Sequence, residues 1–231
     1  MFDWLCIRIL RTFTLAKQEK MKSSSNTLLV RATSVLSLAG ATGLLVWWFM
    51  MPLLLPVSGA ATHFEDMIRD PQWIPVNLLG LASTLLVTLG FPMFFLQQRE
   101  VTARMGNTGL MLAFSGLILF TCIQYYETII WPAAAYSHPE LVGVEGALVK
   151  GNQGVLSGLL VSGILLGAGY LMFGISFLVS KTLPRAPLLM LITGTPVFAN
   201  GIIFPVRTLG LMLFCGGTIW LALHLKKLTN H

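Results

Sequence analysis

Residues 154–179 read GVLSGLLVSGILLGAGYLMFGISFLV, twenty-six positions without a charged side chain. Crossing the hydrocarbon core of a bilayer takes about 20 apolar residues in a helix, where each backbone N–H and C=O finds its partner within the segment. The stretch therefore predicts a transmembrane helix. Five further segments have the same character: 32–56, 75–96, 108–133, 187–204 and 208–225. The fifth segment is short and carries Pro187, Pro196 and Pro205, so a kink near Pro196 is expected. The first is long, and Pro52 and Pro56 are expected to tilt or bend its far end.

The charges between these segments sort by side. Arg8, Arg11, Lys17, Lys20, Lys22, Arg31, Arg99, Arg104, Lys181, Arg185, Lys226 and Lys227 fall on one side of a six-span arrangement. Only Arg69, Lys150 and Arg207 fall on the other. Basic residues stay in the cytoplasm, so this asymmetry predicts six spans with both termini cytoplasmic. The expected fold is all-α: a polytopic membrane helix bundle of six transmembrane helices.

Composition excludes the other classes. Of 231 residues, 55% are hydrophobic and 10% charged, and the mean hydropathy is +0.77. A soluble domain is about one quarter charged, so this chain cannot build a water-exposed surface. The net charge of +6 punctuates apolar segments instead of pooling on one stretch, which argues against nucleic acid as a partner. Cys6, Cys122 and Cys215 are far apart with no C-x-x-C spacing, and buried structural thiols are expected.

Residues 1–27 form a separate cytoplasmic segment ahead of a membrane domain at 28–231. MFDWLCIRILRTFTL is apolar but broken by Arg8 and Arg11, unlike a signal peptide. It reads as an amphipathic helix lying in the inner interface, anchored by Trp4 and Phe13. Met21, opening MKSSSNTLLVRA, offers an alternative start that would leave residues 1–20 outside the native protein. The first span ends Pro56-x6-His63-Phe64-Glu65 and the third ends Pro132-x5-His138-Pro139-Glu140, each followed by a Leu/Gly-rich span. This similarity suggests duplicated helix hairpins in parallel orientation.

Glu127 is the one acidic residue well inside an apolar run. A carboxylate in hydrocarbon costs about 2.5–3.5 kcal/mol on insertion scales, so its presence asks for a reason. Gln124, Glu127 and Trp131 would share one helical face with Thr128 beside them, a polar stripe aimed at the bundle. Gln124, Tyr126, Glu127 and Trp131 are the candidate ligand-binding set. The alternative is a solvated group near the outer interface. Arg104 and Lys150 belong to opposite ends of the flanking spans, and only Lys150 shares the side of Glu127. Asn200 and Arg207 read as an isolated region. With no basic partner evident, a glutamine at position 127 is expected to be tolerated at least as well as the acid.

His63 and Glu65 in the first outer loop, with His138 and Glu140 in the second, supply two H-x-E half-sites of a kind that suits a divalent metal. No spacing fixes their geometry, and solvated loop residues are the bland alternative. Gly154, Gly158, Ser162, Gly163 and Gly167 recur at one-turn spacing, which lets helices approach closely. They are expected to serve packing within the chain first and a homodimer face second. No nucleotide-binding or hydrolase signature is present. Loops no longer than about twenty residues leave no room for an extramembrane catalytic domain.

Tyr126-Glu127-Thr128-Ile129-Ile130-Trp131-Pro132 gives an aromatic-Glu-x4-Pro segment, followed by Pro139-Glu140-Leu141 and, later, Leu183-Pro184-Arg185 before Leu191-Ile192-Thr193-Gly194-Thr195-Pro196. Across about residues 75–225 this resembles a group of uncharacterised bacterial multi-helix integral membrane proteins, with Thr128 where an apolar residue is expected. The resemblance implies the bacterial cytoplasmic (inner) membrane and Glu127 as a family position, and it supplies no activity or cofactor. The leading expectation is a non-enzymatic protein with an outward-facing polar pocket for a small or lipidic ligand, or an accessory subunit of a membrane complex. The alternatives are a proton-coupled transporter using Glu127 and a metal- or redox-linked enzyme using the His/Glu loops.

Overall fold

The computed structural model describes residues 2–55, 64–91, 104–142, 153–200 and 204–228, and these are helical apart from short connections. The helices are α1 (Phe2–Leu54), α2 (Phe64–Arg69), α3 (Trp73–Gly90), α4 (Arg104–Tyr125), a π-helical turn (Tyr126–Ile130), α5 (Trp131–Ser137), a 3-10 turn (Pro139–Leu141), α6 (Gln153–Ser180), α7 (Arg185–Asn200) and α8 (Phe204–Leu228). Among the described residues, five helical stretches are long and apolar enough to cross a membrane: Thr27–Leu54, Trp73–Gly90, Arg104–Ser137, Ser157–Ser180 and Phe204–Lys227. The segment expected as a fifth span is shorter, 16 residues in α7, or about 24 Å at 1.5 Å per residue. That falls short of the ~30 Å apolar core.

Two boundaries differ from the sequence expectation. Residues 2–26 do not form a separate helix; they run into the first span as the N-terminal half of α1. The reason is local. No glycine precedes Gly40 and no proline precedes Pro52, so nothing interrupts the hydrogen-bond ladder. Pro205, counted with the fifth span, sits in the first turn of α8, where its missing N–H costs nothing.

The long helices form a closed ring in chain order, α1–α3–α4–α6–α7–α8, with α8 returning to α1. Glycines set the closest approaches. A Cβ on Gly40, Gly80 or Gly90 would collide with Val87, Trp47 or Ser37 respectively. The residue numbers rise on α1 as they fall on α3, so the pair is antiparallel. Gly109 and Gly116 on α4 meet Phe173 and Leu166 on α6 in the same sense, and Gly194 on α7 meets Gly210 and Phe214 on α8. The core between them is aromatic. Tyr170 packs on Phe91, Phe173 and Phe214, and Phe214 stacks on Phe198. The outward surface carries Leu85, Leu89, Met111, Ile164, Val179 and Leu209, as a lipid-facing wall requires.

The expected glycine stripe on α6 divides. Gly163 and Gly167 are buried, but a Cβ on Gly158 would meet nothing within 4 Å. The tight contact with α4 uses Gly169, whose added Cβ would lie 2.2 Å from the Ala113 backbone nitrogen. Cys215 is buried as expected, whereas Cys122 is exposed. Cys122 shares an outward helical stripe with Met111, Ile118 and Tyr125, and the apolar run around it faces outward there.

Candidate functional site

Buried Asn77, Gln124 and Thr128 lie at one end of the ring, where α1 finishes, α3 begins, α4 gives way to the π-helical turn and α8 begins. Pro132 shapes this region. In the widened register the Trp131 N–H reaches back five residues to the Tyr126 carbonyl. The next N–H would take the Glu127 carbonyl, but residue 132 is proline and has none. Trp73 fills the vacancy from α3, its Nε1 donating to the Glu127 carbonyl at 3.1 Å. The Thr128 hydroxyl, fully buried, donates to the Gln124 carbonyl at 2.5 Å. π-Helical turns recur at functional sites because the extra residue re-aims the side chains of that turn.

The re-aimed side chain is Glu127. Its carboxylate accepts a hydrogen bond from Gln124 Nε2 at 3.5 Å, and Gln124 is itself buried. These two expected ligand-set residues are therefore brought together. Tyr126 and Trp131 meet each other edge-to-face at 6.1 Å between ring centroids, with Trp131 buried. The straight α-helical face predicted for Gln124, Glu127 and Trp131 is replaced by this widened turn.

The basic partner is Arg207, which sequence reading left isolated. It lies in the first turn of α8, and its charge acts on Glu127 as the charge of Glu127 acts on it. The guanidinium stands over the Trp48 and Phe198 rings, 5.5 Å from each centroid, in a double cation–π contact. Its Nε is buried without a hydrogen-bond partner among the described residues. Phe198 also meets Phe120 edge-to-face at 5.6 Å between ring centroids, two turns before Glu127 on the same helical run. Lys150, the base that shares the side of Glu127 in sequence, lies outside the described residues.

Trp48 is itself held in place. Its Nε1 donates to Thr208 Oγ1 at 2.9 Å, and its ring stacks on Phe204 at 5.1 Å. Beside it Trp47 donates to Asn77 at 3.3 Å, and Asn77 donates to the Trp73 carbonyl at 3.0 Å. The C-terminal half of α5 is tied down by Arg69, whose Nε and a terminal nitrogen both donate to the Ala135 carbonyl, at 2.9 and 2.6 Å.

The loop histidines fare differently. His138 and Glu140 are exposed and lie 3.3 Å from each other. His63 is outside the described residues, and Glu65 is described only as part of the α2 backbone. Among the described residues no three His, Cys, Asp or Glu side chains gather as metal ligands. No family model matches the chain, and no curated protein or solved structure is similar to it.

Proposed function

We propose that the chain is a non-catalytic, six-span protein of the bacterial inner membrane, with both termini cytoplasmic, that binds a small or lipidic ligand at the outer end of its helix ring. The observation that carries the ligand reading is the placement of Glu127, Gln124 and Arg207 at one end of the ring, with a buried guanidinium nitrogen left unsatisfied among the described residues. A buried donor without a partner is costly in an apolar medium, and a ligand oxygen would supply the missing acceptor. What supports α7 as a sixth span is its antiparallel seat between α6 and α8, made close by Gly174, Gly194 and Gly210. The hairpin plan, α1 with α3, α4 with α6, α7 with α8, fits a duplicated ancestry.

The transporter alternative is less favoured. A carrier needs polar groups free to meet cargo across several spans, but Thr84, Thr88 and Thr121 spend their hydroxyls on carbonyls one turn back in their own helices.

Topology is checked with phosphatase fusions, which are active only when exported. Activity is expected after Gly146 and Ile202, and silence after Val101 and Thr182. Activity at Val101 would overturn the arrangement. For the ligand, native chain and a Glu127→Gln/Arg207→Gln double variant are purified from membranes and their extractable small molecules compared by mass spectrometry. A species enriched with the native chain and lost from the double variant is expected; identical extracts would remove the ligand reading.

A further inference from the structure

Two prolines fall in the run from the π-helical turn through α5, and each leaves a carbonyl without its helical donor. In the widened turn the N–H of residue 132 would serve the Glu127 carbonyl. At the end of α5 the His138 N–H returns to the Ala134 carbonyl, and the next N–H, that of residue 139, would serve Ala135. Both 132 and 139 are proline. The two stranded carbonyls are satisfied from one place. Trp73 Nε1 donates to Glu127 at 3.1 Å, and Arg69 donates to Ala135 through Nε and a terminal nitrogen, at 2.9 and 2.6 Å.

Arg69 and Trp73 are joined by a tight turn. The Asp70 N–H donates to the Met67 carbonyl, the Trp73 N–H to the Asp70 carbonyl, and the Gln72 N–H to Asp70 Oδ1. Asn77, one turn into α3, donates to the Trp73 carbonyl. Met67 and Ile68 before the turn and Trp73 after it are buried, while Pro71 and Gln72 at its tip are exposed. The donors are thus carried on a frame that is fixed before they reach α5, and its tip is open to solvent.

These donors also choose between two registers. In an unbroken α-helix the Trp131 N–H would return to the Glu127 carbonyl, and Pro132 would strand the carbonyl of Thr128 instead, a fully buried residue. The Trp73 indole would lose its acceptor there. In the π-helical register the vacancy moves one residue back, to the carbonyl that Trp73 reaches. A buried carbonyl without a donor is costly, so the place of one indole N–H tips the balance. We infer that the Arg69–Trp73 turn is a register clip. It holds residues 126–130 in the π-helical form, and its release returns them to an α-helical register, with α5 turned by about 100°, the rotation of one residue. Glu127 lies inside the turn that changes, so a solvent-exposed loop tip sets the direction of that acid, whether or not a ligand is bound to it.

The test uses the full chain with Cys6, Cys122 and Cys215 replaced by alanine and single cysteines placed at positions 133 to 137, reacted with a maleimide in dodecyl maltoside. With the clip intact, positions 133, 136 and 137 should react fast and position 135 slowly, as their exposure dictates. Trp73→Phe keeps an aromatic ring and removes the donor. Straightening the turn gives each residue of α5 the place of the one after it, so the pattern should move by one position, with 134 now slow and 135 now fast. The unfolding midpoint of this variant should fall by about 3–6 °C, the scale of one unsatisfied buried group. Trp73→Phe/Pro132→Ala guards against loss of fold as the cause, because the alanine N–H serves Thr128 in a straight helix. The double variant should recover most of the midpoint and show the displaced pattern in full, and it decides the matter if Trp73→Phe alone unfolds. A native pattern in both variants would overturn the clip. So would a pattern that stays native in Trp73→Phe and moves only with Pro132→Ala, since the proline alone would then set the register. Fast reaction at all five positions in both variants would mean that the segment melts instead of changing register, and would overturn it as well.

Discussion

Replacing Gly169 with valine is expected to destabilise the protein by about 3 kcal/mol or more, the upper range for forcing volume into a packed interior. The reason is what an added Cβ would strike. It would lie 2.2 Å from the backbone nitrogen of Ala113 and 2.6 Å from its Cα, and backbone in mid-helix cannot step aside as a flexible side chain can. The neighbouring contacts are equally tight, Gly109 against the Phe173 nitrogen and Gly116 against that of Leu166, so α4 and α6 would have to separate along their length. Gly158→Val on the same helix is the control. An added Cβ there meets nothing within 4 Å, and the change should stay within about 0.5 kcal/mol, as for an ordinary surface substitution. Thermal unfolding in detergent separates the two. Equal midpoints for both variants would mean that the α4–α6 seam is not packed as described.

That contrast shows how far sequence reading reaches. Glycines one turn apart mark a helix as able to pack closely, but the spacing does not say which face turns inward, and Gly158 and Gly169 look alike in the string. The long helices themselves were legible, because a span needs a run of apolar residues and 154–179 or 32–56 can hardly be read otherwise. Their ends were less so. Proline stops a helix and also suits its first turn, so Pro205 was assigned to the wrong helix. Glu127 was found because one acid in an apolar run is conspicuous. The π-helical turn was not, since it arises from a conflict between Pro132 and the carbonyls before it that only Trp73, 54 positions earlier in the chain, resolves. Arg207 could have been found by matching charges. It is the only Lys or Arg between Arg185 and Lys226, and the chain holds a single acid well inside an apolar run for it to balance.

Glu127→Gln is expected to destabilise the protein by about 2–3 kcal/mol, below the 3–5 kcal/mol typical of breaking a fully buried pair, because both side chains are only partly buried. This reverses the sign expected when Glu127 had no evident basic partner. Arg207 acts on it electrostatically, and removing the carboxylate takes away the charge that compensates a guanidinium, a group that stays protonated in proteins. Arg207→Gln should cost about 1–2 kcal/mol, chiefly for the two lost cation–π contacts, since the remaining carboxylic acid can escape by taking a proton. The double variant should then be no worse than Arg207→Gln alone, a coupling of about 2 kcal/mol between the sites. Strictly additive losses would mean that the two charges do not sense each other and that the site described here is not a unit. The cycle also separates a structural ion pair from a ligand site. A structural pair is complete within the chain, so its coupling should be the same in protein stripped of lipid and in protein kept with native lipid. A molecule bridging Glu127 and Arg207 binds only when both ends are present, so its contribution disappears with either single change. The coupling should therefore be larger with native lipid and fall on delipidation, and an unchanged value would mark the pair as structural alone.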